Sequence, residues 1–293
     1  MRQLLLSLSL AGLAAVAAAI PAAEASFPGA NGRIVYAAAG TDVEQGDSET
    51  SYESLQTIDS DSKRDRFVQG CQRIDGDPTA GDCDISYRSP VWSPNGRRLA
   101  FDAGASLALI APSGAGLQML PAVSGDDGQP AFSPSGAQLA FTAKSGSRTD
   151  ISVIGTGGTG ARRIARNGSS PDWSKRGLIA FVRRGILYSV KPGGKRLRKL
   201  TRGRDPSWSP SGSQIAFARG GGIYVARADG KRARRVVRCS GCGTPAFSPD
   251  GKQLVYDGGG LRVVRISDGK RLNTLVEDAR GAFDGSDPAW QPR

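Results

Sequence analysis

Pro206-Ser-Trp208-Ser-Pro-Ser-Gly212, followed at once by Ile215-Ala-Phe217, is the stretch whose recurrence decides the fold. The same phrase stands at Pro90-Val-Trp92-Ser-Pro-Asn-Gly96 with Leu99-Ala-Phe101, and at Pro130-Ala-Phe132-Ser-Pro-Ser-Gly136 with Leu139-Ala-Phe141. It returns at Pro171-Asp-Trp173-Ser-Lys-Arg-Gly177 with Ile179-Ala-Phe181, and at Pro245-Ala-Phe247-Ser-Pro-Asp-Gly251 with Leu254-Val-Tyr256. A sixth copy is divided. Pro288-Ala-Trp290-Gln-Pro292 carries its first half, and Asn31-Gly32 with Ile34-Val-Tyr36 carries its second. A repeat shared between two distant parts of the chain is what a closed ring requires.

The aromatic anchors fall at 92, 132, 173, 208, 247 and 290, at intervals of 35 to 43 residues, which suits a four-stranded blade. Each repeat reads as two inner strands separated by a tight Ser-Pro-x-Gly turn, where proline fixes φ and glycine is free to take φ > 0. A third apolar strand follows, as in Gly222-Ile-Tyr-Val225. A fourth, basic strand closes the blade, as in Arg162-Arg-Ile164, Arg196-Leu-Arg-Lys-Leu200 and Arg232-Ala-Arg-Arg-Val-Val237. Charge on such outer edges discourages edge-to-edge association. The expected fold is all-β: a six-bladed β-propeller of four-stranded antiparallel blades over residues 26–293, closed by the C-terminal strand completing the N-terminal blade. The aromatic anchors are expected to pack between blades. Gly155-Thr-Gly-Gly-Thr-Gly160 lies between two strands and lacks the lysine and following helix of a phosphate loop, so it reads as a hairpin connection.

The phrase resembles the repeat of TolB-like and WD-repeat-like bacterial six-bladed propellers over roughly residues 31–293. The resemblance covers the propeller only, without the α/β domain that precedes it in TolB. The α/β-hydrolase domain and G-x-S-x-G elbow of the propeller-bearing peptidases find no counterpart here. The resemblance implies a propeller that binds something and does not say what.

Residues 1–25 read as a signal peptide: Arg2, an apolar run from Leu4 to Ile20, and a small-residue Ala23-Glu24-Ala25 cleavage site. No second apolar stretch follows, so the mature chain is expected to lack a membrane span and to be exported, whether periplasmic or secreted. In that oxidising setting Cys71 with Cys83, and Cys239 with Cys242, read as two disulfides, with a four-cysteine zinc site as the rival.

The chain holds no histidine, which removes Ser-His-Asp and Cys-His catalysis and imidazole-ligated zinc. Its net charge is +12, unevenly placed. Residues 161–240 hold 21 Lys/Arg against 3 Asp/Glu, whereas residues 26–160 hold 10 against 16. Lys195, Arg196, Arg198, Lys199, Arg202 and Arg204 form one cluster; Lys231, Arg232, Arg234, Arg235 and Arg238 form its counterpart one blade on. They are candidates for contact with an anionic partner, an envelope or extracellular protein or an anionic polymer; a solvated edge that resists aggregation is the plainer reading. Export argues against nucleic acid.

Two smaller candidates carry carboxylates. Asp75, Asp77, Asp82 and Asp84 beside Cys71 and Cys83 have the oxygen chemistry Ca²⁺ prefers, but also the composition of ordinary turns, and no other cofactor is indicated. Asp205 and Asp287, each preceding a repeat proline, and Asp172, following one, are placed near the channel mouth, as ligand contacts or as turn caps. The expectation is a binding or scaffold propeller rather than an enzyme. A lyase or hydrolase with carboxylates at the channel mouth, and a Ca²⁺-stabilised adhesion or sensing module, are the alternatives.

Overall fold

The described residues form six four-stranded antiparallel sheets, and the repeat phrase supplies the two inner strands of each. The computed structural model describes residues 32–43, 49–59, 65–74, 85–277 and 288–292. The signal segment 1–25, Asp75, Asp77, Asp82, Asp84, Cys83 and Asp287 lie outside the described residues.

Blade 1 contains β1 (Arg33–Val43), β2 (Glu49–Asp59) and β3 (Asp65–Ile74). Blade 2 runs β4 (Arg88–Trp92), β5 (Leu99–Asp102), β6 (Leu107–Ile110) and β7 (Gln118–Met119). Blade 3 runs β8 (Asp127–Phe132), β9 (Gln138–Ser145), β10 (Arg148–Gly155) and β11 (Arg162–Arg166). Blade 4 runs β12 (Ser169–Trp173), β13 (Ile179–Arg183), β14 (Ile186–Val190) and β15 (Arg198–Arg202). Blade 5 runs β16 (Arg204–Trp208), β17 (Gln214–Ala218), β18 (Gly222–Arg227) and β19 (Arg234–Arg238). Blade 6 runs β20 (Gly243–Phe247), β21 (Gln253–Asp257), β22 (Gly260–Arg265) and β23 (Arg271–Glu277). The last strand, β24 (Ala289–Trp290), pairs with β1 through Ile34 opposite Trp290 and Val35 opposite Ala289, closing the ring as the divided repeat requires.

The core lies between blades, where six apolar clusters each join residues of two consecutive sheets. Phe101, Phe141, Phe181 and Phe217, the aromatics ending the apolar-Ala-aromatic run, are fully buried there. The anchors Trp92, Trp208, Trp290, Phe132 and Phe247 are each at least nine-tenths buried. Every full copy of the turn has its glycine at φ between 64° and 73°, a region costly for any residue with a Cβ. The serine opening each turn is buried for a separate reason: Ser93, Ser133, Ser209 and Ser248 Oγ each accept the backbone N–H five residues on, at 2.9 to 3.0 Å. Gln291 takes that serine's place at the seam, its N–H donating to the Arg33 carbonyl at 2.6 Å. Residues 155–160 form the expected tight connection between β10 and β11.

Candidate functional site

Strand pairing places the basic residues in a grid on the outer wall. Arg162, Arg198 and Arg234 stand opposite Val153, Ser189 and Val225, equivalent positions on three consecutive blades. Arg163, Lys199 and Arg235 stand opposite Ser152, Tyr188 and Tyr224. Arg166, Arg202 and Arg238 stand opposite Asp150, Ile186 and Gly222. A register shift in each outer strand keeps the three rows aligned. All nine side chains are exposed. Among the described residues only Arg163 has a carboxylate at ion-pair distance, Asp150 at 3.1 Å. The grid stops at both sides: blade 6 carries Asn273, Thr274 and Glu277 in those rows, and blade 2 carries Gln118 and Met119. Eight cations without a described counter-ion repel one another, and an anion laid across them relieves that repulsion.

Arg162, Arg163 and Arg166 were absent from the sequence candidates because Ile164 and Ala165 interrupt their run; the 36-residue interval to Arg198, Lys199 and Arg202 is the signal that finds them. Lys195, Arg196, Lys231 and Arg232 are exposed in the turns leading into β15 and β19, below the grid. Arg204 is a correction. It begins the inner strand β16 and belongs to the channel mouth, where it binds Asp205 at 2.7 Å and the Cys242 carbonyl at 2.8 Å. Gly203 lets the chain turn inward between Arg202 and Arg204, since a Cβ there would lie 2.5 Å from the Phe217 ring.

Between blades 3 and 4 the wall opens into a groove of about 350 Å³. Arg163, Arg166 and Arg183 line it together with the buried Ile164 and Val190 and with Leu197. Arg183 lies over the Phe181 and Tyr188 rings at 5.3 and 5.1 Å and donates to the Arg166 carbonyl at 2.6 Å, which fixes its guanidinium. Leu197 is 47% exposed at the groove's edge.

The central channel, about 640 Å³, is lined by the innermost strands. Ser89, Gln129, Ser170, Asp205 and Thr244, each directly before a repeat proline, take φ of 44° to 54°. The register of each inner strand shifts across them. The residue before proline ordinarily prefers extended backbone, so these five are bulges; Asp205, for which the sequence left a ligand contact or a turn cap open, is one of them. They also stitch blades together: Gln129 Oε1 accepts the Ser170 N–H at 2.9 Å, and Asp205 Oδ2 accepts the Thr244 N–H at 3.4 Å. Asp172 lies deeper in the channel wall, within β12, where its carboxylate accepts the Trp208 N–H at 2.5 Å. Burial pushes its pKa up to about 6, against the opposing pull of the Trp208 and Trp173 amides. Asp172 and Asp205 thus sit at different levels, each committed to the next blade's backbone.

Cys239 and Cys242 are disulfide-bonded across the connection from β19 to β20. Cys71 is in β3 opposite Glu53, and its expected partner Cys83 lies outside the described residues. Among the described residues no helix is long and apolar enough to cross a membrane.

No protein-family model matches this chain, and neither does any curated protein sequence. Its fold is shared with solved propellers. TolB from Acinetobacter baumannii superposes with a TM-score of 0.72 at 20% identity, over 89% of this chain and 67% of that one. A putative TolB from Agrobacterium tumefaciens gives 0.62 at 20% identity, over 84% and 89%. A chain of the nidogen/laminin complex gives 0.69 at 10% identity, over 89% and 98%. At these identities the likeness is one of fold: a six-bladed propeller of the TolB type.

Proposed function

We propose that this chain is an exported binding and scaffold propeller that captures an anionic partner on the outer wall of blades 3 to 5. The observation that carries the reading is the grid of nine exposed cations in repeat register, eight without a carboxylate at ion-pair distance among the described residues. Arginine dominates it, and the planar guanidinium fork suits carboxylates and phosphates better than a lysine point charge. Export is supported by the signal-like residues 1–25 and by the disulfide at Cys239–Cys242. The structural neighbours include TolB and a chain from the nidogen/laminin complex, which is consistent with a propeller used for association.

Arg198, Lys199, Arg235 and Arg238 make no side-chain bond to other described residues, so replacing all four with glutamate should leave the fold intact. Envelope material retained by the immobilised wild type at low salt should be lost from the variant, with the melting temperature nearly unchanged. Equal retention by both proteins would end the proposal.

A further inference from the structure

We infer that the partner is a flexible linear polyanion with a carbon-bearing repeat unit, a glycan or polyol polymer carrying one carboxylate or phosphate per unit, laid around the wall with one unit seated in the groove between blades 3 and 4. The inference rests on the reading of the wall as a docking surface and narrows it. The three cationic rows repeat blade by blade at a 36-residue interval, so the surface offers the same triplet three times. A ligand using all three triplets must itself repeat.

It must also bend. Three consecutive blades of a six-bladed ring face directions that turn through about 120° from first to last. A flat bilayer touches such a convex wall along little more than one blade, and a rigid protein would need a matching concavity. A flexible chain follows the curve. The groove speaks to what lies between the charges: Arg163, Arg166 and Arg183 offer anion contacts, while the half-exposed Leu197, beside the buried Ile164 and Val190, offers a small apolar floor. An inorganic polyphosphate has nothing to place on that floor; a sugar ring or polyol carbon does.

The test uses the mature protein with size-fractionated polygalacturonate, a poly(glycerol phosphate), inorganic polyphosphate, and vesicles containing anionic lipid, read by anisotropy or co-sedimentation. Affinity for a carbon-bearing polymer should tighten with chain length and then level off once three blades are spanned. At about −0.7 per neutralised cation, the logarithm of affinity should fall with the logarithm of salt at a slope near −6 for all nine. Replacing Arg198, Lys199 and Arg202 by alanine should reduce that slope by about 2. Leu197→Ser should weaken the carbon-bearing polymer several-fold and leave inorganic polyphosphate unaffected. Binding of inorganic polyphosphate as tight as that of polygalacturonate and poly(glycerol phosphate) overturns the carbon-bearing unit. Affinity independent of length, or preference for vesicles, overturns the polymer while leaving the wall as a docking surface. Failure of every anionic probe to bind overturns the wall itself.

Discussion

Replacing Asp172 by asparagine should make the protein more stable at neutral pH, a direction opposite to that expected for removing an ordinary ion-paired carboxylate. The side chain is partly buried in the channel wall and accepts the Trp208 amide at 2.5 Å, which asparagine can still do through its carbonyl. Burial raises the folded-state pKa from 3.8 to about 6. The native state therefore holds a proton more tightly than the unfolded chain. Stability from this group is fully present below about pH 4 and is lost as pH rises through 6. A gap of about 2.2 pKa units corresponds to about 3 kcal/mol at most. The carboxylate retains some solvent contact, so about 1–2 kcal/mol is the realistic gain for asparagine at pH 7.5. In a chain of this size that is a melting-temperature increase of about 2–4 °C. Calorimetry of both proteins at pH 4, 5, 6 and 7.5 isolates the site, because every other titrating group is common to the pair. The difference should be near zero at pH 4 and reach its full value above pH 6. A pH-independent difference, or a less stable variant at pH 7.5, would show that the hydrogen bond to the ionised carboxylate outweighs its burial.

Trp208→Phe should cost less than about 1.5 kcal/mol, because its indole N–H has no partner among the described residues and blades 3 and 6 already use Phe132 and Phe247 at that position. Trp208→Ala, by contrast, should cost about 3–5 kcal/mol by chemical denaturation. Ser248→Ala should lose about 1–3 kcal/mol in the same assay, since it leaves the Gln253 amide without the fully buried hydroxyl it donates to at 2.9 Å.

Most of the architecture was legible because the constraints are local and repeat. Pro-x-aromatic, Ser-Pro-x-Gly and apolar-Ala-aromatic each answer one requirement of a blade, and Trp290 with Ile34 revealed the seam by their incompleteness. The channel mouth was not legible in the same way. A residue before proline reads as extended, and only packing against the neighbouring blade holds Ser89, Gln129, Ser170, Asp205 and Thr244 at positive φ. Nor does adjacency in the chain report position on the ring. Arg202 and Arg204 are two residues apart yet belong to wall and mouth, because the chain turns inward at Gly203. Conversely Arg162 and Arg234, 72 residues apart, share one row of the wall because strand register, not chain distance, sets the row.

The join between β1 and β24 has a consequence for the order of assembly. Elsewhere in the ring, strands that pair follow one another in the chain, so each sheet can form from a short segment. Ile34 and Trp290 are 256 residues apart, and bringing such distant points together costs about 5 kcal/mol of chain entropy on the logarithmic scaling of loop length. Two residue pairs and the Gln291 amide are too few to meet that cost early, while the chain is still loose. The cost falls only as intervening blades stack and carry the two ends toward each other along a growing arc. The seam is therefore the last part of the ring to form and the first to part, and the five continuous blades act as the template that makes its closure affordable.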